Sequence, residues 1–379
     1  MRMNDVHFIT SSNTLQVSNA TWRNHPEWRR VPDEEPTGSK RPWDDFAFNY
    51  SLPEVRDYQF SIFKEIVDRY DADGYELDWL RWMNHLAPGR ERQDAHLLTE
   101  FVARCREHTR GVAKQRGHEI RLACRVATDI RAVLSRGMEV ETWASKDLVD
   151  VIAVCNFYSP TDYDFAFDRW LSRIHAANPR TLVLPGTCDA LENEPCRLDW
   201  PALCGWTDRL YSEGADGFYL YNASYLDVGT LGAIKTNGFD RATSSSSPRR
   251  YIRTFHDVSP EPGRRSERSL PVSLDAARKI EIKVATPPGA WETGEVVISL
   301  SDSESSAPEI ALNGIEPLGP PVRERNKGRY GKPFWSPLVC RYKFPTRAVR
   351  KGANIVRVKP VSKQGVMLRW AEISIIASR

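Results

Sequence analysis

The sequence lacks the features that would assign it to several large classes of protein. Its 379 residues contain no apolar run near the ~18 residues of a membrane-spanning helix, so we expect no membrane span. The 53 basic and 50 acidic side chains nearly cancel, which argues against a nucleic-acid-binding protein that relies on a basic surface. No signal peptide is visible at the N-terminus. The composition is that of a soluble protein, and it leaves the cellular location open.

Cysteine is present, but not in a pattern that binds metal. The seven cysteines form no CxxC pair and no zinc-binding spacing. Cys124 and Cys155 lie inside apolar runs, where cysteine behaves as a small hydrophobic residue. We therefore expect buried free thiols, with a disulfide between Cys188 and Cys196 or Cys204 as the alternative. Without a metal-ligand cluster or a glycine-rich phosphate turn, no cofactor is predicted.

The sequence has many tryptophan and proline residues, 12 and 25 respectively. Sugars stack on aromatic rings, but tryptophan also fills protein cores. The composition therefore favours a carbohydrate ligand only together with other features. Those features are the order of the predicted elements and the polar residues at the predicted strand ends.

Apolar strand patterns alternate with amphipathic helical patterns from residue 1 to 240. Strands buried on both faces of a parallel sheet have this pattern, so it predicts an α/β fold of the (β/α) barrel type. A doubly wound open sheet is the alternative, but that fold would need a glycine-rich phosphate turn. The predicted strands cover residues 2–9, 73–81, 120–128, 149–158, 181–188 and 214–223. The predicted helices cover residues 53–70, 93–116, 139–147, 162–177, 199–213 and 226–235.

The predicted strands are fewer than a complete barrel requires. A (β/α)8 TIM barrel has eight strands in about 250 residues, and six strand patterns are present before residue 240. The first of these patterns begins almost at Met1. We therefore expect strands 3–8 of a barrel, with the first two βα units missing in front of the chain.

The region after the barrel pattern has a different texture. Residues 241–248, RATSSSSP, form a predicted Ser-rich linker. Residues 249–379 then alternate apolar and polar positions between Pro/Gly turns, which predicts an all-β sandwich. The phrase KGANIVRVKP followed by LRWAEISI resembles galactose-binding-like sandwiches appended to carbohydrate enzymes. That resemblance implies a carbohydrate-binding domain.

The segment DADGYELDWLR contains the most informative pattern for chemistry. Successive side chains on a strand point to opposite faces, so Glu76 and Asp78 share one face, whereas Tyr75, Leu77 and Trp79 share the other. Helices cover the outside of a parallel barrel, so the carboxylates are expected to point into it. Two neighbouring buried carboxylates shift each other's pKa values, as acid/base catalysis requires.

A structural interpretation of the same carboxylates stays open. Glu76 or Asp78 could instead pair with Arg81, or with Arg125 of the next predicted strand. Such a pair would neutralise the buried charges without any catalytic role.

Polar side chains at the other predicted strand ends complete the candidate site. Each of them taken alone is as readily a loop cap as a ligand-binding group, and their shared position is more informative. Asp78 is predicted as nucleophile or general base with Glu76 in support, and Asp162 and Asp189 are candidates for the general acid. The predicted substrate-binding residues are Asp5, His7, Trp43, Trp79, Arg81, Trp82, Arg125, Asn156, Tyr158 and Asn222, in which the tryptophans would stack on sugar rings.

The stretches MNDVH, HPEW, PEVRDY…DGYELDWLR, RLACRVATD and GADGFYLYN resemble the bacterial glycosyl-hydrolase-like (β/α)8 barrels, distant relatives of the glycoside hydrolases. The resemblance covers roughly residues 1–235 and implies a barrel that acts on glycans. DGYELDWLR resembles the end of the family's fourth strand. A chitinase-like DGxDxDxE pattern would place its final acid where this sequence has Leu80, so that mechanism is not implied.

Carboxylates, amides and aromatic rings without a metal cluster suit hydrolysis at an acetal carbon. The sequence therefore predicts a glycoside hydrolase with a glycan substrate, no cofactor and no nucleic-acid partner. The alternative from another class is a non-catalytic carbohydrate-binding protein with a degenerate barrel. A barrel hydrolase that acts on another type of bond is a third interpretation. The sugar, the stereochemistry and the oligomeric state are left open.

Overall fold

The computed structural model describes residues 1, 3, 20–30, 47–80, 83–155, 163–188, 199–221, 228–237, 248–253, 270–285, 293–325 and 337–376. The chain divides into two compact units. The first contains the described residues up to Cys155 and those from Asp168 to Leu184. The second contains the described residues from Tyr163 to Phe167 and those from Pro185 onward.

The first unit is built from parallel strands with helices between them. Its helices are α1 (Ala20–Asn24), α2 (Pro53–Arg69), α3 (Ala95–Arg116), α4 (Ile130–Ser135), α5 (Val140–Ser145) and α6 (Phe167–Ala177). Its strands are β1 (Gly74–Asp78), β2 (Arg121–Ala127), β3 (Val151–Cys155) and the start of β4 (Leu182–Cys188). Helix α2 begins at Pro53, where proline's missing N–H costs no helical hydrogen bond. Helix α3 ends at Gly117, whose positive φ of 78° suits glycine.

The parallel register brings the polar positions of neighbouring strands side by side. In β1 and β2, Asp78 is opposite Arg125, and in β2 and β3, Ala127 is opposite Cys155. The five parallel strands follow the order β1-β2-β3-β4-β5, where β5 is Tyr219–Tyr221. This parallel sheet with intervening helices confirms the predicted topology of a partial (β/α) barrel for the described strands.

Helices cover one face of β1. The Tyr75 ring packs against Phe63 of α2, with ring centroids 6.2 Å apart, and Trp79, just after β1, packs against Phe101 of α3 at 6.2 Å. Glu76 and Asp78 alternate with these residues and therefore belong to the opposite face. The predicted division of the strand into a helix-covered face and a carboxylate face is confirmed.

Most element boundaries of the first unit agree with the sequence patterns, and one helix differs. Helix α4 was not predicted, because the six residues from Ile130 to Ser135 are too few to show a helical repeat. The predicted strand at residues 2–9 lies outside the described residues apart from Met3. The Met3 N–H donates to the Asp78 carbonyl at 2.9 Å, and the Asp78 N–H donates to the Met1 carbonyl at 2.9 Å, as parallel neighbours do.

Among the described residues, the second unit contains two helices and two antiparallel sheets. Helix α7 (Trp200–Ser212) and helix α8 (Val228–Asn237) flank β5 in sequence. The remaining strands are β6 (Arg249–Arg253), β7 (Val272–Ser273), β8 (Arg278–Val284), β9 (Thr293–Leu300), β10 (Ile310–Leu312), β11 (Val322–Arg325), β12 (Leu338–Pro345), β13 (Gly352–Val358) and β14 (Met367–Ile376). One sheet has the order β10-β13-β8, and the other has the order β11-β12-β9-β14-β6 with β7 beside β14.

The two antiparallel sheets share one hydrophobic core. Ile280 and Val356 contribute from the smaller sheet, and Val296, Phe344 and Ile373 contribute from the larger one. The predicted alternation therefore corresponds to antiparallel strands with one buried face. Four strands, β6, β7, β11 and β12, were not predicted; β11 is exposed at every position, which gives it no alternation to detect.

Helix α7 packs closely against β6 within the second unit. A Cβ atom added to Gly205 would lie 2.1 Å from the Arg250 carbonyl oxygen, so only glycine fits. This packing joins a helix of the predicted barrel region to a strand of the predicted sandwich region. The predicted domains, residues 1–240 and 249–379 with a linker at 241–248, follow the change in sequence pattern and stay a prediction. The two compact units divide the chain at other residues.

Candidate active site

The carboxylate face of β1 carries the two acidic residues on which the functional prediction depends. Asp78 is buried with 6% of its surface exposed, and Glu76 is half-buried. The strand geometry separates their Cα atoms by about 6.6 Å. The sheet register and the alternation of side chains place Arg125 and Ala123 of β2 beside them, on the same face.

Arg125 holds the Asp78 carboxylate through two parallel hydrogen bonds. Its Nε donates to Oδ1 at 2.8 Å and its Nη2 donates to Oδ2 at 2.7 Å. The backbone N–H of Leu80 also donates to Oδ1 at 3.1 Å. Arg125 is buried to the same degree as Asp78, with 6% of its surface exposed. This charge-assisted bidentate pair fixes the orientation of the carboxylate.

Cys155 at the end of β3 extends the same row of side chains. Ala153, the residue of β3 opposite Arg125, is two residues before Cys155, so the two side chains of β3 share one face. Burial raises the pKa of the Cys155 thiol; the Arg125 charge lowers it in part, and Glu76 and Asp78 raise it again. Cys155 is therefore a neutral thiol at neutral pH and not an activated nucleophile. The spacing of two residues between Ala153 and Cys155 is visible in the sequence. The sequence prediction of the site did not use it.

Trp79 does not have the sugar-stacking role that the sequence prediction gave it. It is fully buried, with 0% of its surface exposed. Its ring packs against Tyr50 at 6.0 Å, His85 at 4.9 Å, Phe101 at 6.2 Å and Trp143 at 5.5 Å, measured between centroids. An enclosed ring offers no face to a ligand. The reason is its position on the helix-covered side of the strand.

His85 is a buried neutral histidine next to that aromatic cluster. It has 0% exposure, and its Nε2 lies 3.2 Å from the Trp79 carbonyl oxygen. Burial lowers the pKa of His85 to about 3, although the hydrogen bond to the Trp79 carbonyl raises the pKa in part. The Tyr50 hydroxyl, in edge contact with His85, donates to the Met3 carbonyl at 2.5 Å. These contacts support the backbone beside Asp78 from the helix side.

The structure brings together only part of the predicted site. Glu76 and Asp78 share one face, as expected, and Asp78 pairs with Arg125, the contact that the structural interpretation of the sequence allowed. The remaining predicted residues lie outside the described residues, and for them the sequence prediction stands alone. They are Asp5, His7, Trp43, Arg81, Trp82, Asn156, Tyr158, Asp162, Asp189 and Asn222.

Within the described ranges, no group of three or more His, Cys, Asp or Glu side chains is arranged to hold a metal ion. None of the helices that the structure describes is long and apolar enough to cross a membrane. Cys105, Cys124, Cys155 and Cys340 are buried free thiols, as predicted. The side chains of Cys188 and Cys196, two of the three cysteines in the predicted disulfide alternatives, lie outside the described residues, and the third, Cys204, is buried.

No family model matches the chain. A search of curated proteins also found no match.

The search of solved structures found matches at low sequence identity and low TM-score. A cycloisomaltooligosaccharide glucanotransferase from Paenibacillus sp. matches with a TM-score of 0.32 and 10% identity over 93% of this chain and 44% of that chain. The glycoside hydrolase domain of PgaB (BpsB) from Bordetella bronchiseptica matches with a TM-score of 0.35 and 12% identity over 53% and 65%. A family GH18 chitinase from Chromobacterium violaceum matches with a TM-score of 0.33 and 9% identity over 91% and 73%.

The chain spans 44% of the length of the glucanotransferase and 65% of that of the Bordetella domain. At these identities and TM-scores, the neighbours do not decide the function.

Proposed function

We propose that the protein is a glycoside hydrolase that cleaves a poly- or oligosaccharide at the carboxylate face of its parallel sheet. The observation that carries the proposal is the pair Glu76 and Asp78 on the side of β1 away from the helices, at the carboxyl end of the strand. In (β/α) barrels, chemistry takes place at that end of the strands.

The two carboxyl groups have different environments, which is what acid/base catalysis needs. Two hydrogen bonds from Arg125 fix the Asp78 carboxylate in one orientation, which suits a nucleophile or general base. Glu76 is less buried and lies one strand repeat away on the same face. We propose that Glu76 shares the acid/base work, and that the general acid is Glu76 itself or one of Asp162 and Asp189.

The other proposed contacts follow from the sequence prediction. Arg125, Asn156, Tyr158 and Asn222 would bind sugar hydroxyls, whereas Trp43 and Trp82 would stack on sugar rings. The C-terminal antiparallel sheets would form a β-sandwich that binds the glycan. Whether cleavage retains or inverts the anomeric configuration depends on the distance between the two catalytic carboxyl groups, about 5–5.5 Å or about 6.5–9.5 Å.

The specific alternative is a carbohydrate-binding protein without activity. The Asp78–Arg125 pair favours it in one respect, since a buried bidentate ion pair is also a common structural element. A digestion screen of the full chain against polysaccharides distinguishes the two functions. New reducing ends support hydrolysis, whereas glycan binding without new reducing ends supports the binding function and overturns the proposal.

A further inference from the structure

A second polar site lies at the opposite ends of the parallel strands. A cleft of about 340 Å³ opens at the N-terminal ends of β2, β3 and β4, and all the residues that line it belong to the first unit. Arg121 at this cleft begins β2, four residues before Arg125, which corresponds to about 13 Å along a strand. The cleft is therefore separate from the carboxylate face.

One side of the cleft is an internally neutralised ion pair. Arg106 donates to Asp150 through Nη1 at 2.8 Å and through Nη2 at 2.7 Å. The Leu122 N–H donates to the same carboxylate at 2.7 Å. Three donors thus occupy the Asp150 carboxylate, so it is a poor ligand for a cation and only weakly repels an anion in the cleft.

The other two arginines of the cleft lining make only weak contacts with its other two acidic residues. Arg110, which does not line the cleft, donates a hydrogen bond to the Asp147 carboxylate at 2.9 Å. This contact neutralises much of the charge of Asp147. The guanidinium of Arg180 reaches Asp147 only at 3.3 Å, with 78% of its side chain exposed. Arg121 reaches Glu119 only at 3.7 Å, with 58% exposed. Such long, exposed ion pairs contribute little and are readily exchanged for a better acceptor.

We propose that this cleft binds a small oxyanion, a phosphate or carboxylate group, between the guanidinium groups of Arg121 and Arg180. The planar fork of an arginine matches both kinds of oxyanion, and both arginines line the same cleft. The volume is in the range of small-molecule sites. Val149 and Leu182 at the same cleft supply apolar contact for the body of the ligand.

Isothermal titration calorimetry of the full chain tests the proposal with inorganic phosphate and with succinate as probes. Sodium chloride at matched ionic strength is the reference, because general screening of arginine charges is not site binding. We expect saturable binding of at least one probe. Tighter binding of phosphate identifies a phosphate ligand, tighter binding of succinate identifies a carboxylate ligand, and similar affinities support the oxyanion class as a whole.

The variant that removes the site is the double substitution Arg121→Gln and Arg180→Gln. Both side chains are largely exposed, so the fold should be kept, and an unchanged melting temperature checks this. Arg92→Gln, at an exposed arginine outside the cleft lining, is the matched control. We expect at least a tenfold weaker probe affinity in the double variant and no change in the control. No saturable binding to wild type, or equal affinity in the double variant, would overturn the proposal; neither result bears on glycan cleavage.

Discussion

Arg125 and Asp78 form a buried bidentate ion pair between neighbouring parallel strands, with N–O distances of 2.8 and 2.7 Å. The pair serves the fold and the proposed chemistry at once. It compensates two charges that are each only 6% exposed, and it orients the carboxylate proposed as nucleophile or base. Removing one partner leaves the other charge buried without its counterion, which is the costly case.

A double-mutant cycle measures this coupling. We expect Asp78→Asn and Arg125→Met each to lower the free energy of unfolding by about 3–5 kcal/mol, because each leaves a buried group uncompensated. The double variant should lose clearly less than the sum of the two, since neither charge then remains. Denaturant unfolding gives the three values. Additive losses would show that the two side chains do not interact.

Part of this site could be predicted from the sequence, because the alternation of a strand needs only local information. That rule correctly places Glu76 and Asp78 opposite Tyr75 and Trp79. The same rule places Trp79 on the helix-covered face, where its ring is buried in the core. It therefore argues against the predicted stacking role of Trp79. Strand β6 could not be predicted, because the arginines of RRYIR are buried by partners distant in sequence, Asp208 and Glu372.

Acid should destabilise the protein through His85. Burial lowers its pKa to about 3 in the folded state, whereas an unfolded histidine has a pKa near 6.5. The unfolded chain therefore binds the extra proton first as the pH falls below about 6.5. Stability should fall through this window by up to about 1.4 kcal/mol per pH unit, down to the folded-state pKa.

The variant His85→Gln isolates this effect. Its unfolding free energy is measured from pH 7 to pH 5, above the range in which most carboxylates titrate. We expect the unfolding free energy of the variant to depend less steeply on pH than that of wild type. At pH 5 the difference in slope should correspond to about one bound proton, whatever the stability of the variant at pH 7. Identical slopes would contradict a neutral buried His85.

Glu372 gives a second pH-linked prediction, within the second unit. Burial raises the pKa of this carboxyl, but the charge and hydrogen bonds of Arg250, with Nε–Oε1 and Nη2–Oε2 both at 2.8 Å, outweigh burial and lower it. A lowered folded-state pKa stabilises the fold above the unfolded value of about 4.3, and that contribution is lost as the pH falls further.

Substitution of Glu372 by Gln should therefore cost about 3–5 kcal/mol at pH 7 and less at pH 3.5. Chemical denaturation at both values measures the difference from wild type. Glu324→Gln is the control, because Glu324 is half-exposed and its ion pair with Arg341 is at the surface. A Glu372 effect as small as the control's, or one that grows in acid, would contradict the stabilising ion pair.

Close packing between α7 and β6 predicts a strong effect of one methyl group. Gly205→Ala would place Cβ 2.1 Å from the Arg250 carbonyl oxygen, so helix and strand must move apart. We expect the free energy of unfolding to fall by about 1–3 kcal/mol or more, as it does in overpacked cores. The control Gly111→Ala, in α3 with no atom within 4 Å of the added Cβ, should be neutral or stabilise by up to about 1 kcal/mol. Thermal unfolding distinguishes them, and equal melting temperatures would contradict the close approach.

The most direct test of the proposed function is the rate of glycan cleavage by Asp78→Asn per folded molecule. The rate is measured on the polysaccharide that wild type digests, and near-ultraviolet circular dichroism gives the folded fraction, so lost stability is not mistaken for lost chemistry. Glu107→Gln, an exposed carboxylate on α3, is the control and should retain the wild-type rate. We expect Asp78→Asn to be about 10²–10⁴-fold slower than wild type per folded molecule. A rate within about tenfold of wild type would contradict the assignment of Asp78 to the chemistry and leave its pair with Arg125 as a structural element.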